Sequence, residues 1–159
     1  MAFKTRRIVI CAMLLLAAGA GAAVAQSKPS CRVEAPADLD ASPARWLGVC
    51  SNGAAEGPGI LRSGDHEPYA FFAGRMQAGR PVDGLLMLSA GGWMVAVRFD
   101  ASLHVVSSDG LDAKVDDRVF AQARAAALET AETFRRAGNT ASADYYTRLA
   151  QRIVDGRPE

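Results

Sequence analysis

The feature that most constrains the fold is a glycine-rich stretch behind a tryptophan, WLGVCSNGAAEGPGILR at residues 46–62. A phosphate-binding P-loop requires a lysine after its last glycine, and a dinucleotide-binding loop requires glycines that open a helix. No lysine follows the glycines here, and Gly59 is followed by the strand-like run ILR instead of a helix. Pro58 also removes a backbone amide that a phosphate-binding loop would use. The stretch therefore predicts β-structure and argues against a nucleotide site.

The same spacing returns further along the chain. Behind Trp46, glycines stand at +2, +7, +11 and +13, and behind Phe72 they stand at +2, +7 and +12, followed by leucines. The two aromatic residues are 26 positions apart, and a period of this length is typical of repeated supersecondary units. The repeat glycines are Gly48, Gly53, Gly57, Gly59, Gly74, Gly79 and Gly84. Chance placement of glycines is the alternative to a repeat.

The spacing aromatic-x-G-x4-G-x3-G-x-G resembles the MORN repeat (membrane occupation and recognition nexus), whose units are β-hairpins that stack on one another. Two degenerate units are predicted, at about 46–61 and 72–88. Both lack the usual Tyr-Glu-Gly start, and in the second unit Leu86 stands where the last glycine belongs. The resemblance implies an antiparallel β-architecture and a scaffolding role. The lipid association of the family is not expected here, because the chain has no basic patch.

The physical use of the glycines can also be predicted. Asn52-Gly53 is the strongest two-residue signal for a tight β-hairpin turn. Gly57 and Gly59 lie two apart on a strand and would leave a groove on one face. Trp46 and Phe72 are predicted to fill such grooves from the neighbouring unit, with no bound ligand.

Residues 1–25 are predicted to be a signal peptide. Lys4, Arg6 and Arg7 precede an apolar run, and Ala23-Val24-Ala25 fits the small-x-small rule for cleavage before Gln26. An N-terminal membrane anchor is the alternative. Cleavage would leave 15 basic against 17 acidic residues, a net charge of −2 instead of +1. A mildly acidic chain without a basic run is a poor partner for nucleic acid.

Cleavage would also leave two cysteines, Cys31 and Cys50, in an oxidising compartment, the periplasm or the cell exterior. A disulfide between them is predicted, and it would contribute roughly 3 kcal/mol to stability. Residues 26–45 contain three prolines and are predicted to form an extended arm tethered by that bond.

Residues 46–108 have β-character. The segment WMVAVRF alternates, which predicts that Trp93, Val95, Val97 and Phe99 share one face, with a hairpin through the turn at Asp100. Residues 115–156 are predicted to form a helical hairpin. Its apolar faces are Phe120, Ala123, Ala127, Ala131 and Phe134, then Ala143, Tyr146, Leu149, Ala150 and Ile153. The fold class is α+β, MORN-like β-hairpins followed by a helical hairpin that covers the sheet; oligomerisation through the helices is the alternative.

The sequence shows no convincing catalytic or metal-binding constellation, and no cofactor is expected. His66 lies in a loop between Asp65 and Glu67, but three consecutive side chains cannot all face one metal ion. His104 is predicted on the polar face of a strand. A hydrolase that uses Asp65 and His66 remains an alternative that mutation of His66 would test.

The predicted function is a non-catalytic interaction or structural module whose partner is a protein or another cell-envelope component. Its predicted binding surface contains aromatic and arginine side chains, which are common in interface hot spots: Trp46, Arg62, Tyr69, Phe72 and Arg75. The alternative is a small inhibitor of a hydrolase such as lysozyme, acting through the loop RSGDHEPYAFF at residues 62–72.

Overall fold

The computed structural model describes residues 31–108 and 113–156, so the predicted signal peptide and the first residues of the arm lie outside the described part. Eight strands precede two helices: β1 (Ala44–Trp46), β2 (Val49–Ser51), β3 (Ala54–Ser63), β4 (Ala70–Gln77), β5 (Arg80–Met87), β6 (Trp93–Ala96), β7 (Arg98–Phe99), β8 (Val105–Val106), α1 (Ala113–Arg136) and α2 (Thr140–Asp155). The predicted α+β class is confirmed. Neither of the described helices is long and apolar enough to cross a bilayer.

The main sheet is antiparallel throughout its ordered path β1-β3-β4-β5-β6, and β2 pairs with the other end of β3. Two hairpins share one type of turn. Asn52-Gly53 joins β2 to β3 and Ala78-Gly79 joins β4 to β5, with positive φ at all four residues. This is the pattern of a type I′ turn, whose twist matches that of paired strands.

A row of glycines crosses the sheet and explains the glycine spacing. Gly59, Gly74 and Gly84 are direct register partners on β3, β4 and β5. The next row on the same face holds large side chains, and two of them lean over the glycines. A Cβ atom would lie 2.6 Å from the Trp46 ring at Gly59 and 2.6 Å from the Phe72 ring at Gly84.

This arrangement corrects the predicted groove in two ways. Trp46 lies over Gly48 and Gly59 of its own unit, and Phe72 lies over Gly74 and Gly84 of its own unit, so neither ring fills a neighbour. Gly57 takes no part, since nothing lies within 4 Å of the position its Cβ would occupy. Gly57 belongs to a bulge. Trp46 pairs with Leu61 and Val49 pairs with Glu56, so the two residues 47–48 lie opposite the four residues 57–60 of β3. The second ring therefore lies over Gly74 and Gly84, and Leu86 is the register partner of Phe72 on β5.

The face that carries these rings is covered by the arm and by the β7–β8 hairpin. Trp46, Leu61, Phe72 and Leu86 form its core, against which Cys31, Val33, Ala35 and Leu39 of the arm pack. The predicted disulfide holds the arm at its start: Cys31 and Cys50 are bonded, with Cα atoms 5.7 Å apart, inside the usual range.

The β7–β8 hairpin is confirmed, but the predicted single face for residues 93–99 is wrong. Trp93 and Val95 lie on the helix side of the sheet, whereas Phe99 contacts Phe72 on the other side, with ring centroids 5.8 Å apart. The strand ends at Ala96, and the amide of Val97 donates to the carbonyl of Val106 instead. Phe99 therefore lies on the arm side of the sheet, where it covers Phe72. The local alternation of residues 93–99 does not indicate this contact.

The other face of the sheet is covered by the helical hairpin, as predicted. α1 packs across β3, β4, β5 and β6, and α2 packs beside α1. Nine of the ten predicted face residues are buried, and Phe134 is half-buried. Gly138 ends α1 in a Schellman motif, in which the amide of Gly138 donates to the carbonyl of Arg135 and the amide of Asn139 donates to the carbonyl of Phe134. The side chain of Asn139 caps α2 by accepting a hydrogen bond from the amide of Ser142. The alanine-rich apolar faces of the two helices are therefore buried in the protein's own core.

Candidate functional site

The five residues predicted to form a binding surface lie in three different places. Trp46 and Phe72 are core residues beneath the arm, 7% and 0% exposed. Arg75 lies at the far end of β4, in a two-bond salt bridge of 2.8 and 2.6 Å with Asp83. Arg62 and Tyr69 stay together, with the guanidinium carbon 4.5 Å from the ring centroid. Tyr69 and Arg62 line the cavities described below.

The cavity, here called the aromatic groove, has its floor on the last side-chain row of the helix-side face. Arg62, Phe71, Met87 and Trp93 are successive register partners on β3, β4, β5 and β6. The preceding row on this face is buried under the helices; in this row Phe71 and Met87 are also buried, 3% and 7% exposed, whereas Arg62 and Trp93 at its two ends are partly exposed. Three inter-strand spacings of about 4.8 Å make the row roughly 14 Å long.

The walls of the groove come from α2 and from two loops. Tyr145, Leu149 and Arg152 line it from α2, at the spacing that places residues on one helical face. Glu67, Pro68 and Tyr69 line it from the loop before β4, and Leu88, Ser89, Gly91 and Gly92 line it from the loop before β6. The main cavity holds about 510 Å³, and a second of about 240 Å³ beside Arg62 shares Glu67, Tyr69 and Tyr145 with it.

The arm fixes both loops from the other side of the sheet. The Asp40 carboxylate accepts from the amide and hydroxyl of Ser89, at 2.9 and 2.8 Å, and from the amide of Ala90 at 3.2 Å. The hydroxyl of Ser63 donates to the carbonyl of Ala41, and the amide of Gly64 donates to the carbonyl of Pro43. Partial burial raises the pKa of Asp40, but these hydrogen bonds outweigh it and hold that pKa below its ordinary value. These bonds fix the loop before β6 at Ser89 and Ala90, and the start of the loop before β4 at Ser63 and Gly64.

The groove combines aromatic rings with more positive than negative charge. Tyr69 and Tyr145 pack edge to face with centroids 6.5 Å apart, and each ring has a guanidinium near its face. The Arg152 guanidinium carbon lies 5.9 Å from the Tyr145 centroid. Within residues 31–108 and 113–156, neither Arg62 nor Arg152 forms an ion pair. Glu67 is the acidic side chain that lines the groove.

Two tyrosines at the groove resist ionisation. Burial raises the pKa of Tyr146 to about 12, although Arg62 opposes the shift. Burial also raises the pKa of Tyr145, opposed by Arg152 and reinforced by Glu67. Both phenols are therefore neutral hydrogen-bonding groups near neutral pH, held in an aromatic cluster with Phe71 and Phe134.

The two histidines lie apart in different settings. His66 is exposed in the loop after β3, with Nδ1 3.2 Å from the carbonyl oxygen of Glu67. His104 Nδ1 lies 3.1 Å from Asp38 of the arm, whose carboxylate also accepts from the amide of Val105 at 2.6 Å. This contact ties the arm to β8. In the described ranges, no three His, Cys, Asp or Glu side chains are grouped as metal ligands would be.

Sequence reasoning missed most of the groove. The alternation of residues 93–99 places Trp93 on a sheet face but names no neighbour for it, and the helical period selects Tyr146, not Tyr145, for the apolar face. The aromatic pair in DYYTR is a usable signal, because adjacent helical side chains point about 100° apart, so only one of the two tyrosines can face the middle of the core. Arg152 gave no signal of its own. Arg152 lies two turns after Tyr145 on the same face of α2, and only the docking of α2 beside the sheet brings both side chains to the strand row.

Comparison with known proteins identifies no relative: no protein-family model, no curated protein and no solved structure matches the chain.

Proposed function

We propose that the protein is an exported, non-catalytic interaction module, built on MORN-like hairpins, that holds a protein partner in the aromatic groove. The observation that carries the proposal is the groove itself. It is large enough for a ligand of several hundred Å³ and presents fixed aromatic side chains beside two guanidinium groups. Tyrosine, tryptophan and arginine are the residue types that dominate binding energy at interfaces.

The way in which the groove is built supports binding rather than a packing defect. Asp40, Ala41 and Pro43 hold both loops through hydrogen bonds from the opposite side of the sheet. A site that is ordered in advance avoids the entropy cost of ordering side chains and loops upon association. The two hairpins support the scaffold part of the proposal, since each packs an aromatic ring on its own glycines and uses the same turn.

Export is supported by the leader-like sequence of residues 1–25 and by the bond between Cys31 and Cys50. We expect the mature protein to begin at Gln26 and to occur in the periplasm or outside the cell. N-terminal sequencing of the protein from fractionated cells tests this. An intact Met1 in the membrane fraction would instead identify residues 1–25 as a retained anchor.

The binding role is tested by photocrosslinking in the native envelope. A photoreactive residue at Ala90, which is exposed between the groove-lining residues Ser89 and Gly91, is compared with the same residue at Val49, which is 65% exposed at the far end of the sheet. We expect a discrete crosslinked protein from Ala90 and none from Val49. Equal products from both positions, or none from Ala90, would reject the groove as the binding site.

The alternative, inhibition of a hydrolase such as lysozyme, is favoured by one observation. Asp65, His66, Glu67 and Pro68 form a continuous exposed run between β3 and β4, which is the form a loop needs to enter a cleft. Purified protein added to lysozyme assays tests it. Loss of inhibition in a variant with this loop replaced by glycine and serine would support the inhibitor role. Undiminished lysozyme activity at a large excess of protein would exclude it for that enzyme.

A further inference from the structure

We infer that the ligand of the aromatic groove is a short extended peptide segment in which large apolar residues are flanked by acidic residues. The inference rests on the proposed function and adds the chemistry of the partner. It is carried by the dimensions of the groove, the side chains of its floor and walls, and the two guanidinium groups without an ion pair.

The length of the floor suits an extended chain. The row from Arg62 to Trp93 spans roughly 14 Å, and an extended chain advances about 3.3 Å per residue, so about four residues fit. Phe71, Met87 and Leu149 close the middle of the groove with apolar side chains that are 3%, 7% and 1% exposed, so the partly exposed rings of Tyr69 and Tyr145 supply most of the contact surface there. Trp93 is 38% exposed and offers additional apolar surface at the end of the row. One or two large apolar side chains would bury themselves there.

The two arginines determine the preferred charge. Each guanidinium carbon lies near the face of a tyrosine ring, and this contact restricts the motion of the arginine side chain. The N–H donors point outward in the plane of the guanidinium group and are not consumed by stacking on the ring. A planar guanidinium binds carboxylates with two parallel hydrogen bonds. Because Arg62 and Arg152 outnumber Glu67 in the groove, a peptide with acidic residues beside its apolar residues is favoured over one with basic residues there.

The same side chains disfavour a carboxylated sugar. A saccharide carries many hydroxyls, and each one that is buried requires a hydrogen-bond partner. The Ser89 hydroxyl already donates to Asp40, and the middle of the groove is hydrocarbon and aromatic. A peptide satisfies such a surface better, since its apolar side chains need no polar partners.

The test measures fluorescence anisotropy with three labelled peptides and the disulfide-bonded mature protein. The probe is EEFLEE, and the matched peptides are KKFLKK, with the charge reversed, and EEGGEE, without apolar side chains. We expect EEFLEE to bind at least about tenfold more tightly than either matched peptide. Arg152→Gln should weaken its binding by about tenfold. Arg98→Gln, which removes an exposed charge from β7 on the other face, should change it by less than about twofold.

Charge reversal keeps the inference falsifiable if a variant binds poorly for other reasons. Arg152→Glu should prefer KKFLKK to EEFLEE, whereas a merely destabilised protein would lose both. The fluorescence change of the groove tryptophan upon addition of EEFLEE should disappear in Trp93→Phe. Equal binding of the three peptides, or an unchanged preference in Arg152→Glu, would overturn the inference.

Two outcomes separate this inference from the proposed function. If oligogalacturonate, a carboxylated saccharide, binds in preference to EEFLEE, the peptide assignment is wrong although the groove is a binding site. If EEFLEE does not bind while Ala90 still crosslinks a protein, the ligand chemistry is wrong and the interaction role stands. If both experiments are negative, both proposals fail.

Discussion

The contact between Trp46 and Gly59 makes a quantitative prediction about why the glycines are needed. In Gly59→Ala the new Cβ would lie 2.6 Å from two ring carbons of Trp46 and 2.9 Å from the Cα atom of Gly48. Ordinary contacts are about 3.5–4.0 Å, so the ring must move by about 1 Å. Such overpacking costs about 1–3 kcal/mol. The movement also strains the 2.9 Å hydrogen bond from the Trp46 indole to the carbonyl of Val49, worth about 1 kcal/mol.

A smaller term acts in the opposite direction. Replacing glycine by alanine restricts the unfolded chain and stabilises the fold by about 0.4–1 kcal/mol. The net expectation is a loss of about 2 kcal/mol in the free energy of unfolding, measured by urea denaturation of the disulfide-bonded protein. Gly59 does not have a positive φ, so backbone strain contributes nothing to this cost.

Two further variants isolate the steric cause. In a Trp46→Phe background the outer ring carbons are missing, and Gly59→Ala should cost at least about 1 kcal/mol less than it does in the wild type. Gly57→Ala is the matched control. It meets nothing within 4 Å but has φ of +72°, so its cost of about 1 kcal/mol should be the same in both backgrounds. A coupling energy below about 0.5 kcal/mol between positions 46 and 59 would refute the nesting argument.

Three other predictions concern the disulfide and two titrating groups. Replacing Cys31 and Cys50 by alanine should lower the free energy of unfolding by about 3 kcal/mol, measured as a shift in the urea midpoint. No shift would mean that the unfolded chain is not restrained by that bond. Asp38 raises the pKa of His104 above its ordinary 6.5; this stabilising contribution is complete below pH 6.5 and disappears as the pH rises through the folded-state value. The melting temperature should therefore fall over that range in the wild type and less in His104→Asn, and equal slopes would contradict the contact. Tyrosine absorbance on alkaline titration should contain a component near pH 12 that is lost in Tyr146→Phe, and because burial opposes ionisation, stability should decrease as the pH rises above the ordinary tyrosine pKa.

Local sequence signals predicted the elements that are governed by short-range rules. Asn52-Gly53 predicts a hairpin turn because few other residues accept positive φ twice in succession. The two helical faces follow from the 3.6-residue period, and Gly138 ends α1 because a C′ position in the left-handed region favours glycine. The pairing of Cys31 with Cys50 follows from their number once the leader is set aside.

Two predictions that depend on contacts between distant residues were wrong, each for a physical reason. The alternation in residues 93–99 predicted one face, but Phe99 covers Phe72 because an aromatic ring on the second face of the sheet also needs burial. The glycine spacing predicts a groove along one strand, at Gly57 and Gly59. The row of glycines runs across the strands, through Gly59, Gly74 and Gly84. Which glycines belong to it depends on the strand register and on the bulge at residues 57–60.

What the sequence alone determined is the list of elements: an arm with a disulfide, hairpins with glycine turns, and an apolar-faced helical pair. Tertiary structure decided which side chains meet. Arg62 and Arg152 are 90 positions apart, and they share one groove only because α2 docks beside a strand row and the arm holds the loops. Turns and helices are specified by neighbours within a few residues, whereas a binding site is specified by the register of strands and the packing of layers, for which no local pattern exists.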